Sequence, residues 1–311
     1  MGEKRSDVVR RLVAGSRGSR LALTQTESIA IRLECDVETK SIATRGDKIH
    51  DVALAKVEGK GFFTKEIDNA LLEGKVDFAV HSFKDVPTDV PDGLVIASVP
   101  ERGSPRDALI GPYRDLDGLP LNARLGTSSL RRRAEVLHTR PDVMVEDLRG
   151  NLDSRLRKLR EGMFDAAVVA EAGLRRLGHE DFSPLDPESF IPAACQGALA
   201  ITARRDDPEV LDILSQLEHP ATRLSCEGER AFLSSLESGC QVPAGVYTTI
   251  DAEATKISIT GFISSLDGSV FLRARDVGSL EDSKEVSRNL ARELLAMGGE
   301  EILADIRKEV S

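Results

Sequence analysis

Apolar positions along the chain fall into two recurring patterns, short unbroken runs and stripes at helical spacing. Residues 8–14 read as a first strand ending at Gly15, and 21–33 as the helix after it. A second strand covers 37–43. Phe63, Ile67, Ala70 and Leu71 then share one helical face, with Gly74 as a stop. The apolar run 78–80 supplies the next strand. This βαβαβ progression predicts a mostly parallel sheet with covering helices. The passage 87–118, rich in proline, glycine and charge, reads as a connection.

The pattern then restarts. Strands are predicted at 123–125, 143–148 and 165–170. Between them lie helices at 129–138, with Leu130, Ala134 and Leu137 on one face, and at 152–160, with Leu152, Leu156 and Leu159 aligned. Residues 199–203 read as a strand returning between the two units. Helices at 208–217 and 221–236 follow, then strands at 242–250, 256–263 and 270–276. A last helical region, 280–310, is broken at Met297-Gly298-Gly299. The predicted fold class is α/β, with two lobes and a smaller α/β C-terminal domain. The expected division is 1–100 with 200–218, then 101–199, then 219–311. Two such lobes form a cleft, and strand ends facing a cleft are the usual ligand site in open α/β sheets.

Composition narrows the function. The chain has 311 residues, enough for two or three domains, and only 4% aromatics, so its core is aliphatic. A net charge of −10 argues against nonspecific nucleic-acid or membrane binding. No stretch approaches a membrane span, and the first residues lack an apolar core of signal length. The cysteines, Cys35, Cys195, Cys226 and Cys240, form no C-x-x-C pair, and no histidine pair has metal-ligand spacing. A reducing cytoplasm with free thiols and no metal is the expectation.

Local clusters carry the chemistry. Gly126-Thr127-Ser128-Ser129 opens a helix directly after a strand, followed by Arg131 and Arg132 in its first turn. Hydroxyls and unpaired N–H groups there favour an anion, while the helix dipole disfavours the arginines unless an anion offsets it. Arg17 and Ser19 occupy the matching turn of the first unit. Arg149, with Arg155 one turn on, and Arg175 with Arg176 also follow strands. Guanidinium forks hold carboxylates through paired hydrogen bonds. Lys84 and Asp85 end the strand at 78–80 in His81-Ser82-Phe83-Lys84-Asp85. A carboxylate facing that arginine-rich cleft stays ionised, and can stabilise a developing cation or move a proton. Taken alone, Asp85 is equally a turn former before Pro87. Cys240 sits in a loop between a helix and a strand, where a thiol is reactive or open to covalent modification.

Together these segments resemble the porphobilinogen deaminase family. The matches are Gly15 to Ser19, Gly59 to Glu66, His81 to Pro87, Gly126 to Arg132, Arg149 to Leu152 with Arg155, Ala172 to Leu174 with Arg176, Gln196 to Ala198, and Gly239 to Pro243. They occur in family order over nearly the whole chain. The resemblance implies two lobes like periplasmic binding proteins and a third domain bearing a cofactor cysteine. Cys240 would carry a dipyrromethane cofactor through a thioether. Four porphobilinogen units would each lose ammonia, pass through an azafulvene and join this primer. Hydrolysis would then release hydroxymethylbilane, the substrate of a uroporphyrinogen-III synthase. Asp85 is the implied catalytic residue. Lys84, Ser82, Thr127, Ser128, Ser129, Arg131, Arg132, Arg149 and Arg155 would hold the cofactor. Arg17, Ser19, Arg176, Gln196 and Phe63 would serve the substrate, with Phe63 in a mobile loop. The family is usually monomeric. Cys195 departs from the pattern, standing where the family usually has glycine. A noncatalytic two-lobe anion-binding protein is the competing reading, and it explains neither Asp85 nor Cys240.

Overall fold

The computed structural model describes residues 11–44, 64–236 and 242–310, apart from positions 252 and 254. In chain order, β1 (Leu12–Ser16) leads into α1 (Arg20–Ala30), β2 (Val37–Ser41), α2 (Lys65–Leu72) and β3 (Phe78–Ser82). β4 (Leu94–Ser98), β5 (Asp107–Ile110) and β6 (Arg124–Gly126) follow, then α3 (Leu130–Thr139), β7 (Met144–Glu146), α4 (Leu152–Arg160) and β8 (Ala166–Ala170). Next come α5 (Glu171–Arg176), β9 (Ser183–Pro184), β10 (Leu199–Arg204), α6 (Pro208–Ser215) and α7 (Pro220–Ser235). β11 (Ala244–Ile250), β12 (Lys256–Ser264), β13 (Phe271–Ser279), α8 (Ser283–Leu294) and α9 (Glu300–Val310) complete the chain.

The first sheet has the order β2-β1-β3-β10-β4 and the second β7-β6-β8-β5-β9. Both place three parallel strands beside an antiparallel fourth, β10 in one and β5 in the other. The fold class is therefore α/β with two lobes of like topology, plus a smaller C-terminal unit in which α7 and α8 pack on the antiparallel sheet β11-β12-β13. The chain crosses between the lobes twice, after β4 and before β10. The crossovers bond to each other where the Gly103 N–H donates to the Gly197 carbonyl at 3.2 Å. Gly197 has φ +88°, and a Cβ there would lie 2.4 Å from the Ser104 carbonyl oxygen, so only glycine fits.

Local chemistry sets the helix starts that matter for the site. The Ser19 hydroxyl accepts the Ala22 N–H to cap α1, the Ser129 hydroxyl accepts the Arg132 N–H to cap α3, and the Asn151 amide oxygen accepts the Ser154 N–H to cap α4. α1 buries Ala22, Gln25, Thr26 and Ile29, a single stripe against the first sheet. Each lobe has its own aliphatic core, around Leu12, Phe78 and Ile201 in one and Leu109, Leu125 and Val168 in the other. The C-terminal core, around Phe232, Ile259 and Leu290, also takes in Phe83 and Cys195, so it extends beneath the turn after β3 and beneath the second crossover.

The passage 87–118 is corrected by two strands, β4 and β5. Each is short, and neither alternates, because β4 is half-buried throughout its middle and β5 lies between two strands. The first strand runs through Gly15 to Ser16, since Gly15 pairs with Lys40 and Ala79 instead of ending the ladder. The break expected at 297–299 is a wide helical turn with Gly298 at φ 114°. Residues 8–10 of the first predicted strand lie outside the described residues.

Candidate active site

β3 delivers the turn that carries Lys84 and Asp85. Immediately after it, Phe83–Asp85 forms one turn of 3₁₀ helix. Phe83 is buried and anchors the turn in the C-terminal core. The Arg230 guanidinium lies 4.9 Å from its ring centroid and donates to the carbonyls of Val86, Pro87 and Thr88. With Phe83 held below, Asp85 is exposed in a cleft that Arg17, Ser19, Gln25, Thr64, His81 and Ser82 also line.

Polar contacts hold this wall in place. The Gln25 amide donates to the Ser82 hydroxyl at 2.9 Å. His81 lies 3.2 Å from the Thr202 hydroxyl, and burial, then the nearby Arg17, lowers its pKa to about 4. His81 is therefore a neutral polar neighbour at physiological pH. Lys84 turns the other way and donates to the Gln196 amide oxygen at 3.1 Å. Burial, then repulsion from Arg132, lowers the Lys84 ammonium to about 8, against the attraction of Asp85 and Asp107.

Gln196 joins the lobes. Its oxygen accepts from Lys84 of the first lobe and from Arg132 of the second, at 3.3 Å. Its amide nitrogen donates to the carbonyls of Pro105 and Arg106 and to the Asp107 carboxylate. Asp107 is fully buried and takes both arginines of α3. Arg131 donates at 2.7 Å, and Arg132 through two nitrogens at 2.9 and 2.7 Å. Burial alone would raise the Asp107 pKa, but Arg131, Arg132 and the Gln196 hydrogen bond bring it down to about 2.

The anion expected opposite Arg131 and Arg132 is thus present within the chain. Arg131 is also bound by the Glu135 carboxylate and the Ile191 carbonyl, both at 2.8 Å. Two buried polar atoms at this turn, Arg131 Nε and Ser128 Oγ, lack a hydrogen-bond partner. Thr127 accepts the Ser129 N–H at 3.3 Å and shapes the turn. Arg155 donates its Nε to the Gly150 carbonyl, and burial, then Arg132, lowers its pKa to about 10, with Asp85 opposing. Lys84 and Arg155 thus each feel repulsion from Arg132 and attraction to Asp85, an arrangement of clustered cations that carboxylates relieve.

Other predicted residues stand apart. Arg149 pairs with the surface carboxylate of Asp147 at 2.5 Å, and Arg176 donates to the Gly197 carbonyl at 2.6 Å, bracing the crossover. Arg175 pairs with Glu171 and lies over the Phe182 ring. Cys240 and Phe63 lie outside the described residues. Sequence reasoning missed Asp107, Gln25, and the buried pair Arg102–Glu229. That pair ties the Gln196 carbonyl to α7, because Arg102 donates to the carbonyl at 2.8 Å and to Glu229 at 2.7 and 3.0 Å. Pro105-Arg106-Asp107 at a strand start was the available signal for Asp107.

Comparison with known families decides the relationship. The family model described as porphobilinogen deaminase, dipyromethane cofactor binding domain, matches residues 12–212. The model of the porphobilinogen deaminase C-terminal domain matches residues 223–296. The chain belongs to the porphobilinogen deaminase family. A porphobilinogen deaminase of Brevibacillus brevis is 46% identical over 95% of this chain and 97% of its own length. One from Desulforamulus reducens is 43% identical over 96% of this chain and 98% of its own. Among solved structures, an ancestral cationic amino acid solute binding protein aligns with a TM-score of 0.40 and 15% identity, over 67% of this chain and 87% of that one. Within the deaminase family match, the cofactor-binding domain model spans both lobes, from β1 to α6.

Proposed function

We propose that the chain condenses four porphobilinogen molecules, with loss of ammonia, onto a bound dipyrromethane primer and releases hydroxymethylbilane by hydrolysis. It is a transferase of tetrapyrrole biosynthesis. The observation that carries the reading is the exposed Asp85 with the cationic Lys84 and Arg155 within electrostatic reach of it, in a chain of this family.

The residues present suit the cofactor. Its acetate and propionate groups are carboxylates, and the second-lobe turn offers buried donors without partners at Arg131 Nε and Ser128 Oγ. Lys84, Ser82, Thr127, Ser128, Ser129, Arg131, Arg132, Arg149 and Arg155 would hold it, with Cys240 as the attachment point. When bound, the cofactor supplies the pyrrole carbon to which each new unit is joined. Arg17, Ser19, Arg176, Gln196 and Phe63 would orient the incoming substrate. Asp85 accepts hydrogen bonds from pyrrole N–H groups and stabilises positive charge as the amine departs. It also accepts the proton released when the new bond forms.

Among the described residues no helix is long and apolar enough to cross a membrane. We place the enzyme in the cytoplasm, as a monomer that passes its product to a uroporphyrinogen-III synthase. The test is incubation of the purified enzyme with porphobilinogen. The proposal expects four ammonia molecules for each hydroxymethylbilane. Carboxylate binding with no ammonia release would instead indicate the noncatalytic binding protein.

A further inference from the structure

We infer that Cys195, Cys226 and Glu229 form a binding site for one soft divalent cation of the zinc and cadmium class. The site lies where the second crossover meets α7. Two free thiols and a carboxylate oxygen, all buried, lie within 4.8 Å of one another there. Around a tetrahedral cation with metal–sulfur bonds of about 2.3 Å, donor sulfurs stand roughly 3.8 Å apart, so small side-chain shifts bring these donors onto three corners of the tetrahedron, with water or another small ligand on the fourth. The two cysteines are 31 positions apart, which is why no ligand motif shows in the sequence. Cys226 and Glu229 share one face of α7, three residues apart. Cys195 comes from a different element, at a left-handed φ of 59°.

Charge selects the cation. Binding follows M²⁺ + 2 RSH → M(SR)₂ + 2 H⁺, and two thiolates neutralise a dication. Glu229 stays compensated by Arg102, so no net charge is added to the interior. A monovalent cation would leave one negative charge uncompensated.

Glu229 must free a lone pair, because its oxygens already accept from Arg102 twice, from Thr248 at 2.7 Å and from the Cys195 N–H at 2.6 Å. The Thr248 hydroxyl has an alternative, since the Ser225 hydroxyl is also within hydrogen-bonding reach. Turning to Ser225 releases Oε1 for the metal. The bound cation would pin the C-terminal unit to the crossover residue directly before Gln196, whose side chain touches Lys84, Arg132 and Asp107. Loading therefore lowers turnover, and a chelator restores it.

The test titrates cadmium into the Cys35→Ser enzyme, which removes the half-buried thiol of the first lobe. It follows the ultraviolet thiolate-to-cadmium charge-transfer band and proton release. The expected result is one cadmium and two protons per chain, with the band lost on adding either Cys195→Gly or Cys226→Ala. A band that survives Cys195→Gly places the metal at another thiol and overturns the proposal. Absence of any band in the parent overturns it equally.

Discussion

The two lobes share a sheet topology and a serine-capped helix that follows a strand, yet they treat charge differently. In the first lobe the turn after β3 leaves its carboxylate, Asp85, exposed near Lys84 and Arg155. In the second lobe a carboxylate of the same type, Asp107, is fully buried and bound by Arg131, Arg132 and Gln196. One aspartate is open to the cleft, and the other fixes Arg131 and Arg132 in place. Local residue type alone does not separate these roles; burial and partners do.

Substitution should split the pair. Asp85→Asn is expected to lower turnover roughly a hundredfold to ten-thousandfold, with stability close to that of the parent. Steady-state kinetics beside a urea melt reads both, and near-normal turnover would contradict the role given to Asp85. Asp107→Asn leaves the buried Arg132 guanidinium without a charge partner and Arg131 with Glu135 alone, and should cost about 3–5 kcal/mol of stability. A urea midpoint equal to that of the parent would show that these arginines are held by other means.

Arg155→Leu tests the crowding of cations. Removing a charge that burial and Arg132 both disfavour should leave stability unchanged or raised. Affinity for the carboxylate-bearing substrate should fall roughly tenfold to a hundredfold. The smallest effect concerns pH. The Lys84 ammonium is lowered to about 8, so its charge is lost as pH rises through that value. kcat/KM should decline severalfold across this range as the hold on carboxylates weakens. Lys84→Arg keeps its charge and should remove this limb of the profile, whatever its activity at neutral pH.

Much of this was legible in the sequence, for identifiable reasons. Helices with serine or asparagine caps and aligned leucines, such as α3 and α4, announce themselves locally. β4 and β5 do not, because their pairing partners, β10 and β8, come from distant sequence. The site follows the same rule. Arg131 and Arg132 were flagged by their awkward place at a helix start, while Asp107, the anion that makes the place tolerable, is brought there by the crossover. Arg149 and Arg155 sit after the same strand, yet only Arg155 reaches the charge cluster, because Asp147 holds Arg149 at the surface. The Cys195–Cys226 proximity was equally invisible, since the C-terminal unit alone brings α7 against the crossover.

The most direct measurement is the intact mass of the purified enzyme, followed by peptide mapping. The account predicts a mass above that of the bare polypeptide by one dipyrromethane unit, with the thioether on Cys240. A bare polypeptide after expression with substrate available, or the cofactor on a different cysteine, would contradict it.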